Sequence, residues 1–376
     1  MTSLNKEQLE AVKFTKGNLL IIASAGTGKT TTIVERYIHM ITHEGFKPNE
    51  IMMTTFTNKA AKDMIRKIVE QTSYAPPYVG TMHSLFLKII RANVSLLNLD
   101  PGFTLIHDES DKKKLIRQIL SGQGLDYRAD TVNYFLRWIS RFKNLGILAE
   151  NLSENLSIDD NIKKGIIEEV VDDEIVKIDP TLRKFVNKIY KKYELELKKN
   201  NSIDLDDILL LSFKLLSQNP KVCKIYSDKF KAIMVDEAQD LNIVQKNILN
   251  LLKNNNLCLI GDDCQNIYEW RGSSNQLVFD FSENEKTFFL KENYRSDKDI
   301  ISSVNKVIKS MKFKIDKELN CTKSEKGNVS VESFYNFDEE VDFIVSQIKE
   351  LLKKKVARDQ IAVLFRTNRI GKEIER

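Results

Sequence analysis

The stretch Ala23-Ser24-Ala25-Gly26-Thr27-Gly28-Lys29-Thr30 decides the fold class, because it separates two segments with different hydrophobic periodicity. The apolar run Leu19–Ala23 that leads into it is typical of a buried parallel strand. After it, apolar residues recur at helical spacing, which predicts a helix from Thr30 to Ile41. A strand, a Gly-containing turn and a helix in this order predict an α/β protein with a parallel sheet.

The same stretch has the composition of a phosphate-binding loop. Backbone N–H groups of a tight Gly turn that opens onto a helix can surround a triphosphate. Lys29 would neutralise the β and γ phosphates, and the Thr30 hydroxyl would ligate magnesium. Ala23 replaces the usual first glycine, so the match is to a relaxed pattern. We therefore predict ATP and Mg²⁺ as cofactors, with nucleotide contacts from Ala23, Ser24, Ala25, Gly26, Thr27, Gly28, Lys29, Thr30 and Thr31.

A carboxylate pair follows a second apolar run. Asp236 and Glu237 come directly after the predicted strand 232–235. Asp236 would hold the hydrated magnesium together with Thr30, and Glu237 would polarise the attacking water. An isolated Asp-Glu pair is often the solvated start of a loop, but a preceding apolar run and a phosphate loop elsewhere favour the catalytic interpretation.

The composition is that of an ordinary soluble protein. The 376 residues are 42% hydrophobic, which suffices for two or three cores, and the net charge of +5 does not by itself indicate nucleic acid. The four cysteines form no CxxC pair and predict free thiols. Because the N-terminus lacks a secretory signal and no apolar run could cross a bilayer, we expect a cytoplasmic protein with no membrane partner.

Apolar runs and helical periodicity outline the rest of the chain. Strands are predicted at 51–56 and 257–260, and a helix at 59–69. Helical periodicity dominates from about 91 to 203, where 168–174 is acidic and 183–199 is a basic helix. For that basic helix, a solvated face and a DNA-binding face are equally good interpretations. A second α/β unit begins past Tyr294, with strands predicted at 329–334 and 361–365 and helices at 339–352 and 370–376.

The carboxylate segment Asp236-Glu237-Ala238-Gln239-Asp240 resembles the corresponding motif of superfamily 1 helicases of the UvrD/Rep/PcrA type. Other segments resemble further motifs of that family, in its order. They are Leu4-Asn5-Lys6-Glu7-Gln8, Thr55-Phe56-Thr57-Asn58-Lys59-Ala60-Ala61, Gly80-Thr81-Met82-His83-Ser84, Gly261-Asp262-Asp263-Cys264-Gln265-Asn266-Ile267-Tyr268-Glu269-Trp270-Arg271-Gly272 and Glu292-Asn293-Tyr294-Arg295-Ser296. Each match is modest alone, but this ordered series over nearly the whole chain is highly specific.

The resemblance implies roles at the matching positions. Gln8 would read the adenine edge and Tyr294 would stack on the base, while Gln265 would sense the γ phosphate. Arg295 would reach the same phosphate as an arginine finger does. The implied catalytic residues are thus Lys29, Asp236, Glu237, Gln265 and Arg295.

The resemblance also implies a DNA-binding surface. Aromatic faces suit a protein that must grip any sequence, because every base has a π face. In isolation, we would interpret Tyr268 and Trp270 as core aromatics. In the polar stretch beside Gln265, stacking on bases is the better interpretation. The implied DNA contacts are Phe56, Thr57, Asn58, His83, Tyr268, Trp270 and Arg271, and the implied partner is single-stranded DNA or a duplex with a single-stranded tail.

The fold that the resemblance implies is an α/β, RecA-like P-loop NTPase with a parallel sheet, a helical insertion and a partial second RecA-like domain. Residues 1–90 and 204–290 would form the first RecA-like domain. Residues 91–203 would form the helical insertion, and 291–376 the start of the second RecA-like domain.

The sequence departs from the family pattern in two respects. Thr31 stands where the family usually has an Arg that stacks over adenine, so a cation–π contact of about 0.5–2 kcal/mol would be missing and base selectivity would be looser. The family's later motifs, among them Lys-Gly-Leu-Glu and a second catalytic Arg, do not occur in the 376 residues. We expect these residues to form one wall of the ATP cleft and part of the opposite wall. A partner chain is one candidate source of the rest of that second wall.

Three functional hypotheses follow. The first is an ATP-dependent DNA helicase or translocase of 3′ to 5′ polarity that acts in DNA repair or replication. The second is an ATP- and DNA-binding protein without motor activity. The third is part of a RecB/AddA-like helicase-nuclease, which shares these motifs. ATP turnover by this chain alone would exclude the second hypothesis.

Overall fold

A six-stranded parallel sheet is the centre of the protein. The computed structural model describes residues 4–153, 180–253, 255–268 and 272–375. The sheet strands are β1 Leu19–Ala23, β2 Ile51–Thr55, β3 Val79–Thr81, β6 Ala232–Asp236, β7 Leu257–Gly261 and β8 Lys286–Leu290. Their order is β3-β2-β6-β7-β1-β8, and every neighbouring pair is parallel. The predicted α/β fold with a parallel sheet is therefore confirmed.

Alternate residues of the central strands enter two different hydrophobic cores. In β1, Leu19 and Ile21 pack into one core, whereas Leu20 and Ile22 pack into the other. Both faces are thus covered, and all five residues of this strand are buried. This explains the unbroken apolar run in the sequence, since a parallel strand buried on both faces has no solvent side to carry polar residues.

The helices cover the sheet and the termini of its strands. The predicted helix after β1 runs from Lys29 to Thr42, and the one after β2 from Asn58 to Thr72. The other helices in this part of the chain are Lys6–Lys13, Met82–Ala92, Leu205–Gln218, Pro220–Lys229, Ile243–Leu252, Gln276–Asn284 and Lys298–Ser310. Among helices of the described residues, none is long and apolar enough to cross a membrane.

The described residues between Ala92 and Ser202, which are 93–153 and 180–201, build a separate helical core. Helices Glu109–Ser121, Ala129–Asn144 and Val186–Lys199 pack around one apolar cluster that includes Phe135, Trp138 and Tyr190. Strands β4 Thr104–Ile106 and β5 Ser202–Asp204 pair where the chain leaves and re-enters the main body. The predicted acidic stretch 168–174 lies outside the described residues. The insertion boundaries at 91 and 203 remain predictions.

The chain divides into one compact unit that extends to Glu325 and a second from Lys326 onward. Short strands β9 Glu292–Asn293 and β10 Asn320–Cys321 pair within the first unit. The predicted domain boundary at residue 290 remains a prediction.

Within the second unit, two predicted strands are wrong. Helices Phe337–Lys353 and Asn368–Glu375 occur close to their predicted positions, but 329–334 and 361–365 form no strand. Val331 and Leu364 are each 93% exposed. An apolar run has strand propensity, but a strand forms only with a hydrogen-bonding neighbour, and neither segment has one among the described residues.

Candidate functional site: a phosphate-loop cleft beside an aromatic pair

A cavity of ≈ 660 Å³ opens at the carboxyl ends of the parallel strands, where ligands bind in sheets of this kind. Twelve predicted catalytic or nucleotide-binding residues line it, although they come from distant parts of the sequence. The lining consists of Leu4, Gln8, Ser24, Ala25, Gly26, Gly28, Lys29, Thr30, Thr31, Glu237, Gln265, Tyr294 and Arg295. Ala23 and Thr27 are buried just behind this surface, and Asp236 lies beneath it at the end of β6.

The phosphate loop needs its two glycines. Gly26 and Gly28 have φ angles of 83° and 90°, in the left-handed region that favours glycine. A Cβ atom on Gly26 would also lie 2.6 Å from the Cβ of Arg295. Within the loop, the buried Thr27 hydroxyl donates a hydrogen bond of 2.8 Å to the Ser24 carbonyl. The loop is therefore held in shape by its own contacts, with its backbone facing the cavity.

Gln8 contacts the loop directly. Its carboxamide Nε2 donates to the Thr27 carbonyl at 3.1 Å, and its Oε1 accepts from the Asn5 backbone N–H at 3.0 Å. Asn5 in turn caps the Lys6–Lys13 helix by accepting from the Gln8 backbone N–H. One hydrogen on Nε2 and one lone pair on Oε1 remain for a base edge. The adenine-reading role of Gln8 remains a proposal.

Asn293 joins the segment after β8 to the phosphate loop. Its Nδ2 donates to the Ala25 carbonyl at 2.7 Å, and the Tyr294 backbone N–H donates to the Gly26 carbonyl at 2.9 Å. The Tyr294 ring is 46% exposed, and its hydroxyl accepts from Asn5 Nδ2 at 3.0 Å. Sequence reasoning did not single out Asn293. The sequence signal that could have identified Asn293 is its position beside Tyr294 and Arg295 in the matched motif.

Lys29 and Glu237 form an ion pair in the cleft. The distance from Lys29 Nζ to Glu237 Oε2 is 2.6 Å. Glu237 has a φ of 54°, which is uncommon for a residue other than glycine. This strained backbone conformation sets the direction of the Glu237 side chain. Gln239 Nε2 also donates to Glu237 Oε2, at 2.8 Å. The carboxylate is thus held in a fixed position beside the phosphate loop.

Asp236 has the features of a metal ligand. Burial, followed by the nearby charge of Glu237, raises the pKa of Asp236 to about 6. Its Oδ2 accepts from the Thr55 hydroxyl at 3.2 Å, whereas the buried Oδ1 has no hydrogen-bond partner among the described residues. A buried carboxylate oxygen without a partner is costly unless a cation or donor binds it. Together with the Thr30 hydroxyl at the cavity, this oxygen donor set fits Mg²⁺.

Asp240 is a third carboxyl group in this part of the structure, and the sequence analysis did not assign it to the site. Burial, with a contribution from Glu237, raises its pKa to about 6, and in the part of the chain that the structure describes its buried Oδ1 has no hydrogen-bond partner. It lies in the short turn that follows Glu237. Asp240 is the last residue of the motif Asp-Glu-Ala-Gln-Asp, and this position is the sequence signal that could have identified it.

An aromatic pair joins the segment after β2 to the segment after β7, two strands that are separated by β6 in the sheet. Phe56, directly after β2, is 40% exposed and stacks on Tyr268, with ring centroids 4.8 Å apart and an interplanar angle of 25°. Thr57 caps the following helix by accepting from the Ala60 N–H at 3.1 Å, and Asn58 begins that helix. His83 lies just after β3. Trp270 and Arg271 lie outside the described residues.

The fold and this cleft define the P-loop class of α/β proteins. The family model of the UvrD/REP helicase N-terminal domain matches residues 4–286, and that of the UvrD-like helicase C-terminal domain matches residues 288–376. The chain therefore belongs to the UvrD/REP helicase family.

Individual relatives agree with this family. The protein named "ATP-dependent DNA helicase PcrA" of Staphylococcus epidermidis is 30% identical over 380 residues, which are 99% of this chain and 49% of the relative. The Bacillus subtilis protein named "Putative ATP-dependent DNA helicase YjcD" is 33% identical over 385 residues, covering 99% of this chain and 47% of the relative. The chain thus spans about half the length of the curated relatives it matches.

Proposed function

We propose that the chain is the ATP-binding part of an ATP-dependent DNA helicase or translocase. One observation carries the proposal: Thr55 donates to Asp236, and the next residue, Phe56, belongs to the exposed aromatic pair. Thr55, the last residue of β2, and Phe56, which follows it, thus connect a nucleotide-site carboxylate to a base-stacking surface. Such a connection lets a change in one site alter the other, which a motor requires.

Each residue of the cleft has a distinct role in ATP hydrolysis. Lys29 and the loop N–H groups bind the β and γ phosphates, while Thr30 and Asp236 hold Mg²⁺. When bound, the ion neutralises charge on the phosphate oxygens. Glu237 orients the attacking water and accepts its proton. Gln265 and Arg295 line the same cavity, where they contact the γ phosphate as charge develops on it.

The proposed partner is single-stranded DNA or a duplex with a single-stranded tail. Stacking on Phe56 and Tyr268 is independent of base identity, since every base offers a π face. Thr57 and Asn58, at the N-terminus of the following helix, would contact phosphates. By family likeness, the polarity is 3′ to 5′ and the process is DNA repair or replication in the cytoplasm.

A strand-displacement assay tests this proposal. We expect ATP-dependent unwinding of a duplex with a 3′ single-stranded tail and none of a duplex with a 5′ tail. Lys29→Ala should abolish unwinding, whereas Lys16→Ala, at an exposed position outside the matched motifs, should not. Unwinding that continues without ATP, or that survives Lys29→Ala, would contradict the proposal.

A further inference from the structure

A buried lysine from a distant segment, outside the matched motifs, contacts two carboxylates close in sequence to the cleft residue Gln265. Lys317 Nζ lies 2.6 Å from Asp262 Oδ1 and also contacts Asp263 Oδ1. All three side chains are at most 3% exposed. Lys317 is 55 residues away from Asp262 in the sequence. None of the roles assigned so far uses it.

The segment that carries Lys317 is fixed in place by independent contacts. The Ile315 backbone N–H donates to Asp263 Oδ2 at 2.8 Å. Asn305, on the Lys298–Ser310 helix, hydrogen-bonds both the N–H and the carbonyl of Leu319, at 3.0 and 2.9 Å. Leu319 is buried against this same helix. Lys317 therefore points at the two carboxylates from a rigid support.

From Asp262, hydrogen bonds continue to two cleft residues. Asp262 Oδ2 accepts from Gln265 Nε2 at 2.6 Å. The Asp262 backbone N–H donates to Gln239 Oε1 at 3.0 Å, and Gln239 Nε2 donates to Glu237 at 2.8 Å. The Lys317 ammonium group thus holds Asp262, and hydrogen bonds connect Asp262 to Gln265 directly and to Glu237 through Gln239.

The charges at this point depend on one another. Burial alone would raise the pKa of Asp262, but Lys317 holds it below its usual range. Burial disfavours the charged amine, yet Asp262 and Asp263 raise the pKa of Lys317 to about 12. Removal of the cation would leave two buried carboxylates without compensation, and their repulsion would displace Asp262.

We propose that Lys317 is a positioning residue: by holding Asp262, it fixes Gln265 at the γ-phosphate end of the cleft and Glu237 beside Lys29. This inference rests on the proposed function, because it assigns to Gln265 the task of distinguishing a triphosphate from a diphosphate. It adds a residue from beyond β8 that acts on the cleft without touching the nucleotide.

The test compares the dissociation constants of ADP and of a non-hydrolysable ATP analogue, both with Mg²⁺. In the wild-type chain we expect tighter binding of the triphosphate. Lys317→Met should reduce this preference about tenfold, as expected for a lost charge-assisted hydrogen bond. Gln265→Ala should reduce it to a similar degree. The double variant should differ from Gln265→Ala by less than about twofold, because both changes remove the same interaction.

Lys309→Met is the matched control, because Lys309 has an exposed side chain on the neighbouring helix, 3.4 Å from Glu318. It should leave the preference unchanged. If Lys317→Met does not fold, as judged by circular dichroism, Lys317→Gln retains a hydrogen-bond donor and takes its place. An unchanged preference in a folded variant, or effects that multiply in the double variant, would overturn the inference. A wild-type chain that binds neither nucleotide would instead overturn the proposed function.

Discussion

Lys29 and Glu237 are 208 residues apart in sequence, yet Lys29 Nζ donates to Glu237 Oε2 at 2.6 Å. The phosphate-loop cation and the proposed catalytic carboxylate therefore already contact each other. A bound γ phosphate would compete with Glu237 for Lys29. This competition links the binding of ATP to the release of Glu237 toward the attacking water.

The first prediction concerns this ion pair. Glu237→Gln should lower the ATP hydrolysis rate by about a hundredfold or more, since a general base is removed. It should also tighten ATP binding by about two- to fivefold, because Lys29 no longer pairs with a charged carboxylate. Equilibrium binding of a fluorescent ATP analogue measures the second effect. Weaker binding than that of wild type would show that Glu237 does not compete for Lys29.

The second prediction concerns pH. Because the pKa of Asp236 is raised to about 6, the folded chain holds this proton more tightly than the unfolded chain does. Ionisation of Asp236 therefore costs stability as pH rises from about 4 to about 6, and Mg²⁺ binding offsets that cost. The thermal shift caused by Mg²⁺ with nucleotide should be larger at about pH 7.5 than at about pH 5.5.

Asp236→Asn should remove most of this pH dependence. Asp240→Asn is the necessary comparison, because the pKa of Asp240 is also raised to about 6. If Asp240→Asn removes the pH dependence of the thermal shift and Asp236→Asn does not, Asp240 is the group that titrates.

The third prediction concerns the aromatic pair. Phe56→Ala should weaken single-stranded DNA binding by about 1–3 kcal/mol, as expected for the loss of one stacking surface, and leave nucleotide binding unchanged. Fluorescence anisotropy with a labelled oligonucleotide measures the first effect. Tyr74→Ala is the control, because Tyr74 is an exposed aromatic residue (62%) that precedes a strand, β3, whereas Phe56 follows one. Equal losses in both variants would argue against a specific stacking site.

The fourth prediction concerns stability. Lys143 is fully buried, and its Nζ lies within 3.0 Å of carboxylate oxygens of Glu194, Asp204 and Asp207. Lys143→Met should destabilise the fold by about 3–5 kcal/mol, because buried carboxylates lose their cation. Urea unfolding measures this change in the free energy of unfolding. Lys114→Met, on the exposed surface of a neighbouring helix, should change it by less than about 0.5 kcal/mol.

Local sequence patterns predicted the elements that carry the nucleotide site. β1, the phosphate loop and the following helix were predicted because buried parallel strands and Gly turns leave strong local signals. β3 was missed because it has only three residues, and β8 because Lys286-Thr287-Phe288-Phe289-Leu290 lacks a long apolar run. The strand predictions at 329–334 and 361–365 were wrong because strand formation depends on a neighbour that local sequence does not specify.

Contacts between distant residues were the least predictable part of the site. Asn293 touches Ala25 across 268 residues, and the Gln239 side chain joins the Glu237 carboxylate to the Asp262 backbone N–H. The pKa of Asp236 depends on burial by surrounding elements, which the sequence does not state. Motif likeness supplied the candidate site residues, and the structure supplies the hydrogen bonds that connect them.

The rate of ATP hydrolysis with and without single-stranded DNA tests the central claim most directly. We expect hydrolysis that rises severalfold with DNA, falls as salt concentration rises and disappears in Lys29→Ala. Phe56→Ala should keep the basal rate but lose most of the stimulation. Hydrolysis that is the same with and without DNA in the wild-type chain would contradict the claim that nucleotide and DNA sites are coupled.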